Sequence, residues 1–167
     1  MEQLNTNLSI KATGIANRVN NEISNLFNQI DFISTERKQN LVLIKVIKGK
    51  NTYEIDLQND YPFRPPSNII YNGINYKKGL SYCPVKIQQI LKNKYNITCL
   101  CCDTILCESN WMPSMNTSHI INEIDKFIKI KKEVKIILLC DEIRTKYGCL
   151  SEFADFEKYL ISTFSKG

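Results

Sequence analysis

Three prolines within the six residues Tyr61-Pro62-Phe63-Arg64-Pro65-Pro66 constrain this chain more than any other feature. Each proline fixes its own φ and lacks an N–H, so the run can belong neither to a helix interior nor to the middle of a sheet. It predicts a rigid, extended crossing. The chain on either side of it must supply the regular structure, and the two sides differ in hydrophobic period.

Upstream, Thr13 to Ile30 carries Ile15, Val19, Ile23, Leu26, Phe27 and Ile30 at helical spacing, with Asn, Arg and Glu between them. That is one amphipathic helix. From Asn40 the period shortens to two. Leu41 to Ile47 and Thr52 to Leu57, where Tyr53, Ile55 and Leu57 alternate with polar residues, read as a hairpin closed by Lys48-Gly49-Lys50-Asn51. Asp31 to Arg37 supplies a strand before it and Asn68 to Tyr71 one after it, giving a small antiparallel meander. Downstream, Cys83 to Asn93 reads as a short helix with Pro84 in its first turn. A cysteine-rich segment, Cys99 to Cys107, leads to Trp111-Met112-Pro113, which interrupts regular structure. Asn116, Thr117 or Ser118 can then cap a helix bearing Ile120, Ile121, Ile124, Phe127 and Ile128, continued through Val134, Ile137, Leu138 and Ile143. A last helix, Ser151 to Phe164, presents Phe153, Phe156, Leu160 and Phe164. The order of N-terminal helix, meander sheet and C-terminal helices is that of an α+β fold, and 167 residues suit a single domain.

Several function classes fall away. Even the most apolar stretch, Leu41 to Ile47, contains Lys45, so no membrane span and no membrane partner is expected. Met1 to Asn5 lacks the basic and apolar regions of a secretory signal. Seven cysteines, with Cys101 and Cys102 adjacent, suit a reducing compartment, cytosol or nucleus, better than a disulfide framework. A net charge of +5 is too mild to imply a specific nucleic-acid partner. The excess of Asn, Ile and Lys is what an AT-rich genome, a viral one among them, would produce. Neither GxGxxG nor GxxxxGK occurs, so no nucleotide cofactor is expected. The single histidine, His119, stands beside a helix start and reads as a surface or capping residue.

What remains is Cys99-Leu100-Cys101-Cys102-Asp103-Thr104-Ile105-Leu106-Cys107. Free cysteine is a small buried hydrophobe, and the cluster can be core packing. Alternatively Cys99 and Cys102, at C-x-x-C spacing, can hold zinc together with Cys107 and either Cys83 or His119, although a second C-x-x-C is missing. In the third reading one thiol is a nucleophile.

The third reading gains weight from a resemblance. Tyr61-Pro62-Phe63-Arg64-Pro65-Pro66, the downstream cysteine and Trp111-Met112-Pro113-Ser114 are similar, in that order, to the Y-P-F-basic-P-P run, active-site cysteine and W-x-P-[AS] of the ubiquitin-conjugating (E2) family. The resemblance covers roughly residues 10 to 130, leaving 131 to 167 as a helical extension. It implies a ubiquitin-conjugating-type fold and a thiol that carries ubiquitin, or a ubiquitin-like modifier, as a thioester and passes it to a lysine or a ligase cysteine. The implied partners are ubiquitin or a ubiquitin-like protein, an activating enzyme, a ligase and a protein substrate; no cofactor or metal is required. Leu100-Cys101-Cys102-Asp103-Thr104-Ile105 fits the family's apolar-Cys-apolar-x-x-apolar site, which makes Cys101 the first choice and implies buried side chains at Cys102 and Ile105. Cys99 and Cys102 are the second choices. Asp103 falls at the family's acidic position, where it would orient or desolvate the incoming amine. The family's His-Pro-Asn is absent; counting back eight residues from Cys101 reaches Asn93, whose amide would serve the oxyanion, with Asn96 the fallback. Phe63, Pro113 and Ser114 match the family's ligase-facing loops. A non-catalytic scaffold of the same fold, stiffened by zinc or not, is the alternative that the missing His-Pro-Asn favours.

Overall fold

A computed structural model describes residues 14–26, 30–77, 83–147, 155, 156, 158 and 160. The chain divides into two compact units, Met1–Cys83 with Cys99–Ile121, and Pro84–Thr98 with Asn122–Gly167. In chain order the elements are helix α1 (Gly14–Leu26), strands β1 (Phe32–Lys38), β2 (Leu41–Lys48), β3 (Asn51–Gln58), β4 (Asn68–Tyr71) and β5 (Ile74–Asn75), and helices α2 (Val85–Tyr95) and α3 (Thr117–Tyr147). The fold is α+β. The helix expected over Ser151 to Phe164 falls mostly outside the described residues, as does Phe27; Asp155, Phe156, Lys158 and Leu160 are helical.

The strands form one antiparallel sheet in the order β1-β2-β3-β4-β5. Its register pairs Val42 with Leu57, Ile44 with Ile55 and Val46 with Tyr53, and then Ile55 with Ile69. Period-two alternation therefore places all of these, with Ile33, on one buried face. Each such aliphatic side chain contributes about 1.5–3 kcal/mol. The other face is mixed, with Leu41, Leu43, Ile47 and Ile70 half-buried around Lys45 and its cross-strand partner Glu54, which form an ion pair of 3.0 Å. Two glycine turns set the register. Gly49 has φ +60 at the first central position of the two-residue β2–β3 loop, where a II′ turn requires it. Asn72 and Gly73 both have positive φ, at 48 and 77, and close a second hairpin that adds β5. That strand is not anticipated above, although Asn-Gly between Tyr71 and Ile74 is its signal.

The first half of the proline run is not the extended crossing expected. Tyr61 N–H donates to Gln58 O and Phe63 N–H to Asp60 O, so residues 58–63 fold through successive turns, the second with cis Pro62 at its third position. The donors that proline leaves over turn back locally, since no strand is there to take them.

One carboxylate joins the first unit together. Glu22 of α1 is buried and accepts from Tyr61 Oη at 2.8 Å, from Thr117 N–H at 2.9 Å, from Thr117 Oγ1 at 2.8 Å and from Arg18 Nε at 2.7 Å. Thr117 begins α3, whose amide dipoles favour a negative charge there. Asn116 caps that helix, its Oδ1 accepting from His119 N–H at 3.2 Å, and Asn116 N–H donates to His119 Nδ1 at 3.3 Å. His119 thus stands exposed at the helix start and its ring meets the Asn116 cap, the surface or capping role that the sequence indicates. Arg18 also donates to the carbonyls of Pro113 and Met115. In the second unit, α2 and α3 are joined by Tyr95 Oη donating to Glu133 Oε2 at 2.5 Å and by the Lys86–Asp141 ion pair at 3.3 Å.

Removing Glu22 strands several buried donors. Glu22→Ala is expected to lower the unfolding free energy by about 3 kcal/mol and Tyr61→Phe by about 1–2 kcal/mol. Urea midpoints read both, and an unchanged midpoint in Glu22→Ala contradicts the assignment. Burial, with Glu22 beside it, holds the Tyr61 phenol above its ordinary range. A proton held more tightly in the folded state gives stability that is complete below the unfolded phenol's pKa of about 10 and declines as the pH rises beyond it. Tyr61→Phe should lose that part of the alkaline decline.

Candidate functional site

Residues 99–111 contain no helix or strand, and hydrogen bonds to side chains and carbonyls shape them instead. Asp103 closes the first turn in both directions, its N–H donating to Cys99 O at 2.9 Å and its carboxylate accepting from Cys99 N–H at 3.0 Å. Asn110 donates through Nδ2 to the carbonyls of Cys102 and Thr104. Cys107 N–H donates to Thr104 O, and the N–H groups of Asn110 and Trp111 both donate to Cys107 O. Ahead of Trp111, Thr104 and Leu106 are the buried side chains of the segment; Ile105 and Leu100 are half-buried and Cys102 is exposed. The burial register expected from Cys101, with Cys102 and Ile105 inward, is therefore displaced. It presumes a strand leading into the thiol, whereas a run of turns has no alternating faces.

The segment ends at Trp111, which is buried, stacks at a tilt with Tyr61 at 6.1 Å between ring centroids, and donates from Nε1 to Pro62 O at 2.7 Å. The Trp-x-Pro turn and the Tyr-Pro-Phe turn are thus held to each other. Both present exposed side chains. Phe63 is 76% exposed and Met112 55% exposed, with Pro113 and Ser114 exposed as well. An aromatic side chain that faces water while its neighbour Tyr61 is sealed is not serving the core.

The thiols gather in the first turn. Cys99 Sγ lies 3.0 Å from Cys101 Sγ, which lies 3.5 Å from Cys102 Sγ, and all three sulfurs fall within 4.8 Å of one another. Cys101 and Cys102 are exposed and Cys99 is half-buried, so core packing does not account for them. Three thiols this close share protons unequally. Donation from Cys101 Sγ, followed by the Cys102 N–H, lowers Cys99 to about 7, whereas proximity to Cys99 pushes Cys102 up to about 12. Near neutral pH the turn therefore carries thiolate at Cys99, 3.0 Å from the Cys101 sulfur. Cys107 stands apart, its Sγ 3.1 Å from Ser109 Oγ, a contact that lowers its pKa. Burial raises that of Cys83.

Of the residues singled out in the sequence, Cys99, Cys101, Cys102 and Asp103 come together in this turn. Asp103 acts on the backbone that presents the thiols. The zinc set of Cys99, Cys102, Cys107 and Cys83 or His119 does not assemble: Cys107 bonds Ser109, and His119 bonds its cap. The trio that forms includes Cys101 instead. Asn93 is exposed on α2, in the second unit. Asn96 is the left-handed C-cap of that helix, with φ 55, its N–H donating to the Lys92 carbonyl while Ile97 N–H donates to that of Leu91. Asn110 and Glu22 are the residues that sequence reasoning passes over. Asn110 has a signal, since a turn-rich segment calls for a side chain that bonds nearby backbone.

Among the described residues no helix is long and apolar enough to cross a membrane. No family model, curated protein or solved structure matches the chain. The likeness to ubiquitin-conjugating proteins therefore rests on the quoted residues.

Alkylation of Cys99 by iodoacetamide, followed peptide by peptide, should rise with a midpoint near pH 7, the value to which its neighbours lower it. In Cys101→Ala, which removes the main donor, the midpoint should move up toward the ordinary thiol value of about 8.5. An unmoved midpoint contradicts the sharing of protons.

Proposed function

We propose that the chain is a ubiquitin-conjugating-type acyl carrier, with Cys101 as the thiol that holds the modifier. The observation that carries this reading is an exposed cysteine, 3.0 Å from a second thiol, on a turn that runs directly into a buried Trp-x-Pro held to the Tyr-Pro-Phe turn. The residues that carry the family resemblance lie in one unit, and the Trp-x-Pro and Tyr-Pro-Phe turns touch.

Cys101 S–H gives its proton to the Cys99 sulfur beside it, and the Cys101 sulfur attacks the carbonyl of the modifier's C-terminal thioester on the activating enzyme. The tetrahedral intermediate collapses with loss of the activating enzyme's thiolate, leaving the modifier on Cys101. A lysine amine or a ligase thiol then attacks that carbonyl and Cys101 departs as thiolate. A thiol needs no strong base for such exchange, because even its small thiolate fraction at neutral pH is strongly nucleophilic. The absence of a histidine beside Cys101 is compatible with this chemistry. Asp103 acts here as a positioning residue, since its carboxylate holds the Cys99 N–H. The exposed Phe63, Met112 and Pro113 offer an apolar surface suited to a ligase.

The test is a charging reaction with activating enzyme, ATP and ubiquitin, resolved on a non-reducing gel. The expected result is an adduct cleaved by thiol reductant and lost in Cys101→Ser. Cys99→Ala should still charge, with its pH–rate profile displaced upward. An adduct that survives Cys101→Ser and disappears in Cys99→Ser or Cys102→Ser would move the carrier to that sulfur. No adduct from folded protein with competent partners would leave a binding scaffold.

A further inference from the structure

We propose that Cys99, Cys101 and Cys102 form a three-sulfur site for monovalent copper. The three Sγ atoms lie within 4.8 Å of one another, with neighbouring separations of 3.0 and 3.5 Å. An ion bound in the plane of three thiolates at about 2.3 Å from each sets the sulfurs about 4.0 Å apart. Reaching that spacing from the backbone as it stands means widening the two shorter separations by rotation about the Cα–Cβ bonds. That backbone is already tied down, by Asp103 at the Cys99 N–H and by Asn110 at the Cys102 carbonyl. Exposure of Cys101 and Cys102 gives the ion a direct entry path.

The ligand set chooses the metal. Thiolates select soft ions, among which monovalent copper, zinc and iron–sulfur clusters are the usual candidates. Structural zinc and iron–sulfur clusters ask for four protein ligands, and zinc sites with three protein ligands include histidine, which this trio lacks. Among the described residues the metal-capable group holds three, Cys107 bonding Ser109 and His119 bonding Asn116. Monovalent copper is satisfied by three sulfurs. Binding converts S–H to S–Cu and releases the thiol protons to solvent, with no change of oxidation state when copper is supplied as Cu(I).

This site does not depend on the acyl-carrier reading, although an ion held by Cys101 would block charging. The test is an anaerobic titration of the reduced full chain against the coloured Cu(I) complex of bathocuproine disulfonate. The protein should withdraw about one copper per chain, and Cys99→Ser and Cys101→Ser should each weaken retention at least ~10-fold, the smallest loss expected where a direct ligand is removed. Cys83→Ser and Cys107→Ser should leave it unchanged, and X-ray absorption should show three sulfurs around the copper. Circular dichroism establishes that each variant is folded. The proposal is overturned if the chelator keeps all the copper, if the triple serine variant of the trio binds as well as the wild type, if Cys107→Ser weakens binding as much as Cys99→Ser, or if equimolar Zn²⁺ displaces the copper.

Discussion

A carboxylate taken out of water must be surrounded by donors, and Glu22 is met by a phenol, a hydroxyl, a backbone N–H and a guanidinium. These donors come from separate stretches of the chain, so satisfying one charge fixes three of them at once. They are α1, the turn at Tyr61 and the first residue of α3. The segment between that turn's partner, Trp111, and Thr117 has no regular structure of its own, and Arg18 holds it through the Pro113 and Met115 carbonyls. A hydrophobic contact in place of Glu22 would be non-directional and would leave those positions loosely defined. The packing of α1, the Tyr61 turn and the start of α3 depends on this charge.

From that anchor the thiol turn follows by short steps. Tyr61 packs beside Trp111, Trp111 bonds the Pro62 carbonyl, and the Trp111 and Asn110 N–H groups bond Cys107 O. Asn110 and Asp103 complete the turn that carries Cys99, Cys101 and Cys102. Small polar side chains thus do the work that a strand ladder does elsewhere, at the surface, where thiols can meet a macromolecule or an ion. Close approach of the sulfurs then lets one of them ionise near neutral pH, as hydrogen bonds to an anion stabilise it. In the proposed acyl transfer that sulfur takes the Cys101 proton, whereas the proposed copper site draws on the closeness of the three sulfurs.

How much of this was legible in the sequence depends on whether the signal is local. The alternation in Leu41 to Ile47 and Thr52 to Leu57 needs only its own period to name the buried face, and the strands follow it. α3 was legible in its cap and its apolar stripe, because capping is a contact between residues three apart. The turns through residues 58–63 were not legible, since proline chemistry excludes helix and sheet equally and does not choose between an extended path and a turn. β5 is only two residues long, and its Asn-Gly turn outweighs any strand pattern. In the thiol turn the cysteines were identifiable by type and crowding, whereas their exposure was not, because burial there is set by Thr104 and Leu106. Glu22 was the least legible residue. One glutamate on a polar helix face gives no local sign that Tyr61 and Thr117 converge on it.

The most direct measurement is the identity of the sulfur that holds the modifier. After charging under non-reducing conditions, the protein is digested with trypsin and the peptide spanning Cys99 to Cys107 is sequenced by mass spectrometry. The account predicts the modifier's C-terminal remnant on Cys101. A remnant on Cys83, Cys107 or a lysine, with the 99–102 thiols unmodified throughout, would contradict it.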